Sequence, residues 1–444
     1  MSIIVMSAGL YFTKGEEAFY LWRWIDAIVF SLGLISIFVS DFAIVKGSSF
    51  SRIVLLIAVW FLAFSVLFYP AISNCLFVAF GVCAVAYAIW NKRIYPISYA
   101  FIIVFIYGLL QTLGTIGTPK GFRFEHNTTF LFVIPLVFIC FSISKEELLI
   151  AFRWVVKTIL LYLLCSLFYW LHYLDYFQAN AWQWLTSKMV LGGHSVFVYV
   201  AGWSGYYFPT FVCLIPLVTL SIAFYSYRHK SISWVLLLVY WVATLWFCMA
   251  LESRVAVATC IGITVLSIVA YLWYKISYRK LYLVVCFLAL LVAGFALKDK
   301  LVVFCRDSAR VQVYTLATNY ISEHILWGCG SGEQEQALLE EEVKMGDNYQ
   351  HIPVLPAYSH SHNQFLDEFM QFGVVGFLVV LLLFVVGFYM AFKHKNYLMF
   401  MLFFIFIVNS MIDVPFNTAY GQNVFIVFFC LFSQIPRMSN LVEK

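Results

Sequence analysis

The sequence predicts an all-α polytopic integral membrane protein with about 12–13 transmembrane helices and one long loop that itself contains helices. Three observations lead there. Of the 444 residues, 64% are hydrophobic and only 11% charged, with a mean hydropathy of +0.91, whereas a soluble domain carries about 25% charged residues. The apolar residues fall into runs of roughly 20, the length a helix needs to cross the hydrocarbon core. The Lys and Arg residues collect in alternate connections between those runs, as cytoplasmic loops require. The net charge of +5 therefore reports topology. The sequence shows no basic arm suited to nucleic acid and no low-complexity tail.

Residues 1–52 form an N-terminal segment. Its opening, MSIIVMSAGLYFTKGEEAFYLWRW, has no basic residues ahead of its apolar stretch. It reads as an interfacial segment rather than a cleaved signal peptide, and leads into an extra span over 24–45. The transmembrane core, 53–298, holds candidate spans at 53–71, 73–90, 94–113, 128–144, 155–176, 206–226, 231–251, 254–274 and 281–298. FYPAISN (68–74) reads as a tight hairpin between the first two. The C-terminal helices in 372–444 are expected at 372–392, 397–414 and 420–436. Lys46/Arg52, Lys92/Arg93, Lys145 with Arg153 and Lys157, Arg228/Lys230, Lys275/Arg279/Lys280, Lys393/Lys395 and Arg437 mark the cytoplasmic side. The connections 114–127, 177–205, 252–253, 299–371 and 415–419 are then extracytoplasmic. The span 24–45 makes the total odd and leaves the N-terminal side undecided.

The loop 299–371 is the one long polar segment. RVQVYTLATNYISEHILWG (310–328) is amphipathic, with Val313, Leu316, Ala317 and Tyr320 on one face. It is expected to stop at GCGSG (328–332), which lacks the GK[ST] of a nucleotide P-loop. EQEQALLEEEVKMGD (333–347) reads as a second, solvated helix, and IPVLPAYSHSHN (352–363) as an extended approach to the membrane. The eleven cysteines are scattered, mostly in apolar runs, without metal-binding spacing. Only Cys305 and Cys329 lie in this polar loop, where an oxidising compartment would allow them to pair.

Ionisable groups at membrane depth are costly and point to function. Arg254 in ALESRVAVA, Arg310 in DSARVQVY and Arg123 in PKGFRFEHNTTF all fall on the extracytoplasmic side, with Glu252, Arg306, Lys120 and His126 as neighbours. Each is also open to a plainer reading as an interfacial anchor or surface residue. His360 and His362 alternate in an extended stretch and point the same way. No third ligand at helical spacing accompanies them, so metal is set aside. A neutral imidazole is a good proton acceptor near pH 7. Asp367 and Glu368 could orient it or hold an acceptor hydroxyl, or simply serve the helix N-terminus. Three arginines and a histidine on one face suit an anionic, lipid-linked substrate with a diphosphate leaving group.

HNQFLDEFMQFGVVG fits the pattern His-[Asn/Ser/Gln], nine residues, Gly, two residues, Gly/Thr/Tyr, here His362, Asn363, Gly373 and Gly376. That pattern resembles the O-antigen ligases of Gram-negative bacteria, within the superfamily that also holds the O-antigen polymerases. FYPAISN before a span ending in WNKR, Arg254 in SRVA, Arg310, GCGSG and MIDVPFN (411–417) follow in the family's order, so the resemblance covers roughly 53–436. It implies an inverting glycosyl transfer, without metal, cofactor or nucleotide, at the periplasmic face of the inner membrane. The donor would be polysaccharide on undecaprenyl diphosphate and the acceptor the lipid A core oligosaccharide. His362 would be the base, with Arg254 and Arg310 on the diphosphate and Arg123 a third candidate. Asn363, Asp367, Glu368 and His360 would support them. The long periplasmic loop would cover the site. An O-antigen polymerase acting on the same carrier is the sister reading. A transporter of lipid-linked saccharides is the non-enzymatic one, though no internal repeat supports it.

Overall fold

The computed structural model describes residues 28, 31–37, 39, 70–92, 100–116, 118, 126–140, 143–176, 209–251, 253–275, 308–345 and 360–435. Among them every regular element is helical: α1 (Pro70–Asn91), α2 (Ala100–Leu113), α3 (His126–Val137), α4 (Lys145–Tyr176), α5 (Pro209–Val212), α6 (Leu214–Arg228), α7 (Trp234–Ala250), α8 (Arg254–Lys275), α9 (Ser308–Glu323), α10 (Gln334–Met345), α11 (Gln364–Lys393), α12 (Tyr397–Ser410) and α13 (Ala419–Ser433), with a 3-10 turn at Pro415–Asn417. Stretches within α4, α8 and α11, and one that runs from α5 through α6 (Thr210–Arg228), are long and apolar enough to cross a membrane. The span expected at 281–298, most of 24–45, the pairing half 53–69 of the first hairpin, the loop 177–205, Arg306, Glu252 and the approach 352–359 lie outside the described residues.

The outward faces explain why so apolar a chain folds this way. On α1, Val78, Val82, Val85 and Ile89 are exposed; on α11, Leu378, Leu382, Val385 and Tyr389 are. Both sets follow the 3.6-residue period, and both are greasy stripes that water would penalise and lipid tails would not. The inner faces meet in one large core, rich in aromatic rings. Phe416 packs edge-on to Phe425 at 4.9 Å and to Tyr107 at 5.7 Å, linking the 3-10 turn to α13 and α2.

Several elements differ from their expected bounds: α11 begins at Gln364 rather than 372 and α3 ends at Val137 rather than 144, and three others show the reason. Pro70 is the first residue of α1 and Ser73–Asn74 lie inside it, so FYPAISN is not a turn through its Ser-Asn pair. Proline suits that position because its missing N–H would have had no partner there. α4 begins ten residues before the expected span, at Lys145. Ser144 Oγ accepts from Glu147 N at 3.3 Å and Glu147 Oε2 accepts from Ser144 N at 2.8 Å, a reciprocal cap that starts the helix ahead of its apolar part. α9 ends at Glu323, five residues short of Gly328, because Ile325 gives its carbonyl to Val374 N at 2.8 Å instead of to its own helix.

α9 and α10 pack on the first turns of α11 through a small separate core. Val313, Leu316, Ala317 and Tyr320 form the buried face of α9, as their spacing predicts, and meet Ala337 and Leu338 of α10 and Met370 of α11. α10 is thus not solvated all round. Its exposed Lys344 bridges the exposed Glu323 at 2.8 Å and the buried Glu341 at 2.5 Å. Cys329 carries a free thiol, so it forms no disulfide, and Cys305 lies outside the described residues.

Candidate active site

α11 is two helices in one. At Gly373 the backbone turns to φ 62°, ψ −154°, a conformation essentially reserved for glycine. The 20 residues after it rise roughly 30 Å, the thickness of the hydrocarbon core. The first piece, Gln364–Phe372, carries the polar residues. The break releases the carbonyls of Met370 and Gln371, which accept from Cys329 N and Gly330 N, both at 2.9 Å. A side chain at Gly328 would strike the Met370 carbonyl, and one at Gly373 the Leu326 carbonyl. Gly328 therefore serves close backbone contact between the loop and the kink of α11, whereas a side chain at Gly330 would meet Thr118 and the Gly114 carbonyl.

Asn363 caps the first piece, its Oδ1 accepting from Phe365 N at 3.0 Å and Leu366 N at 3.2 Å. Neither Asp367 nor Glu368 serves the helix end. Both are fully buried. Asp367 Oδ1 accepts from Ser361 N (3.1 Å) and Ser361 Oγ (3.2 Å), and its Oδ2 from Gln334 Nε2 (3.0 Å), Gln371 Nε2 (2.9 Å) and Asn417 Nδ2. Glu368 accepts from Tyr107 Oη (2.8 Å), Gln111 Nε2 (2.9 Å) and Gln364 Nε2 (2.8 Å). Buried carboxylates persist only when so satisfied. Neither acid has a hydrogen bond to a histidine.

His360 and His362 sit just ahead of the cap, their rings edge to face at 4.4 Å. Asp413, from the α12–α13 connection, reaches both. Its Oδ1 lies 3.6 Å from His360 Nε2 and 3.8 Å from His362 Nδ1. His362 takes the left-handed conformation, φ 52°, rare for a residue with a Cβ and frequent where a side chain is held for chemistry. His360 Nδ1 is buried with no hydrogen-bond partner among the described residues. The His362 carbonyl accepts from Tyr314 Oη at 3.4 Å, which docks α9 on the histidine loop. Arg310 lies one helical turn before Tyr314 on the same face. Arg254, exposed, begins α8 at the end of the bundle where α7 turns into it, and α8 packs on α12, which leads to Asp413. Arg123 lies outside the described residues.

Sequence reasoning did not find Asp413 or Tyr314 as site residues, nor the amides and phenol that satisfy the two acids. A signal existed in FIIVFIYGLLQTL, where Tyr107 and Gln111 stand four apart in an apolar run and so share one face. The absence of a third ligand at helical spacing also proves too narrow a test. The ligand atoms of His360, His362 and Asp413 lie within 4.8 Å of one another and are of a type able to hold a divalent ion.

The fold and this site define a helical membrane protein with a histidine–carboxylate cluster at the start of α11, against which the helix bearing Arg310 is docked. Residues 238–381 match the family model described as O-antigen ligase. That stretch, which holds Arg254, Arg310, both histidines and the kink of α11, is similar to the O-antigen ligase family. The match supports a ligase- or polymerase-type function in lipopolysaccharide synthesis, and together with the membrane-spanning helices it suggests a multi-pass bacterial membrane protein. No curated protein matches the chain.

Proposed function

We propose that the protein is the ligase, transferring O-antigen polysaccharide from undecaprenyl diphosphate to the lipid A core at the periplasmic face of the inner membrane. The acceptor hydroxyl oxygen attacks the anomeric carbon as the carbon–oxygen bond to the diphosphate breaks, inverting that centre. The electron pair leaves with the diphosphate, and the hydroxyl proton passes to His362. With Nδ1 turned toward Asp413, Nε2 is the nitrogen that meets the acceptor, and the carboxylate stabilises the imidazolium as it forms. Contacts of 3.6–3.8 Å are longer than hydrogen bonds, and such contacts commonly tighten on substrate binding. Arg310 and Arg254, with Arg123 as a third, neutralise charge that grows on the leaving diphosphate, so they favour the transition state over the ground state.

The observation that carries this reading is the convergence of Asp413 on His360 and His362, with the helix bearing Arg310 docked on the same loop. The test is lipopolysaccharide banding in a strain lacking the gene. The native chain should restore polymer-capped lipid A core. His362→Ala, inserted to the same level, should leave the polymer on its lipid carrier. Core capped with single repeat units in the uncomplemented strain would identify a polymerase instead. Transfer by membranes is expected to survive EDTA. Loss with EDTA and recovery with a divalent ion would make the three-residue cluster a metal site and overturn the base assignment.

A further inference from the structure

A second site lies at the other end of the bundle. The turn after α6 and the turn between α11 and α12 enclose, with the far half of α8, a cavity of about 400 Å³, a size that suits small-molecule ligands. Arg228, His229 and Lys395 line it, and no carboxylate among the described residues does. The surrounding field is positive: burial, then Lys145 and Arg228, hold the His229 imidazole below its ordinary range. The frame is rigid. Tyr397 Oη and Ser267 Oγ share a hydrogen bond of 2.5 Å across the floor, and Asn396 Nδ2 donates to Phe432 O at 2.8 Å. α8 runs from Arg254 to Ser267 before reaching the cavity, about 20 Å at helical rise. It is therefore separate from the histidine cluster.

The walls say what kind of ligand fits. Leu237 and Ile268 line the cavity, and Ile268 and Tyr271 are at the same time exposed on the outer face of α8. The cavity thus opens sideways onto the apolar surface, with its cations at one end. Guanidinium and ammonium groups suit phosphate oxygens, and apolar walls suit a chain. A basic pocket between membrane helices, on the side where basic turns collect, has the chemistry of a headgroup site.

We propose that this cavity binds an anionic membrane phospholipid, its phosphate held by Arg228 and Lys395 and the start of its acyl chain laid along Leu237 and Ile268. The site is independent of the glycan transfer proposed above. The test titrates the purified full chain in detergent micelles with palmitoyl-oleoyl phosphatidylglycerol and counts bound lipids by native mass spectrometry. One lipid should be retained by the native protein. In Arg228→Gln/Lys395→Asn, retention should weaken about tenfold or more, the loss expected from charge-assisted hydrogen bonds. Asparagine is chosen because Lys395 has φ 49°, which asparagine tolerates. Ile268→Trp, at a surface position, fills the apolar wall and should weaken retention with every cation in place. If the double variant does not purify as a monodisperse species, this variant decides. Undiminished binding in the folded variants, equal retention of phosphatidylcholine, or displacement of the lipid by inorganic phosphate would each overturn the proposal.

Discussion

Asp367→Asn separates scaffold from chemistry in the stretch HNQFLDEF. The carboxylate takes five hydrogen bonds from four elements: the histidine loop, α10, α11 and the 3-10 turn. An amide offers one oxygen where the acid offers two. With its NH₂ toward the amides it would face three nitrogen donors. Gln371 cannot simply rotate, because its Oε1 already accepts from Gly332 N at 3.2 Å, and Asn417 Oδ1 accepts from Gln364 Nε2 at 3.0 Å. The cheaper orientation turns the NH₂ to Ser361, whose hydroxyl can reverse but whose backbone N–H cannot. That loses one charge-assisted bond, worth about 1.5–3 kcal/mol, and leaves the rest as weaker neutral bonds, for a total of about 3–5 kcal/mol. Against the roughly 5–15 kcal/mol that holds a folded domain, this is a large fraction. The assay is thermal unfolding of the purified protein in detergent, read beside transfer activity. A lowered midpoint with activity lost in proportion to unfolding is expected. A parental midpoint with activity abolished would refute the scaffold role and return Asp367 to the chemistry.

Asp413→Asn should do the converse. Its amide oxygen still accepts from Val414 N, now 2.9 Å from Oδ1, so the unfolding midpoint should hold while transfer falls about a hundredfold or more in a steady-state assay, the scale of lost acid–base assistance. Gly373→Ala forces a Cβ against the Leu326 carbonyl in a backbone region closed to alanine; it should cost at least about 2 kcal/mol by thermal unfolding. Burial, and then the Asp367 carboxylate, push the Cys329 thiol up to about 12. At pH 8 about one such thiol in ten thousand is then ionised, against about a quarter of unperturbed thiols, and only the thiolate reacts. Maleimide labelling of Cys329, followed by peptide mass spectrometry, should be negligible in the native protein and rapid in denaturant.

What could be read in the chain was what depends on period and on near neighbours. The buried face of α9 is legible because Val313, Leu316, Ala317 and Tyr320 recur at helical spacing. The kink of α11 is marked by the glycine at Gly373, although only the structure shows that its purpose is to hand two carbonyls to Cys329 and Gly330. The length of α4 was missed because a polar first turn carries no apolar signal; its Ser144–Glu147 cap was the available cue. Asp413 was missed for a different reason. It stands 51 residues beyond His362 in MIDVPFN, and no local periodicity couples the two. Only the antiparallel return of α12 brings the α12–α13 turn back to the start of α11.

The placement of the acids follows from their positions in α11. Neighbours on a helix point in different directions, about 100° apart, so Asp367 and Glu368 cannot share one partner set. Asp367 gathers the loop side through Gln334, Ser361 and Asn417, while Glu368 gathers the bundle side through Tyr107 and Gln111 of α2. Together they fasten the first piece of α11 between the soluble loop and the membrane bundle. The oxygens of both acids are taken up by donors of this framework, and neither has a hydrogen bond to a histidine. The acid that assists a base must come from outside this framework, within reach of both histidines yet bonded to few other groups. Asp413, which accepts one backbone N–H and faces His360 and His362, is the described carboxylate with that geometry.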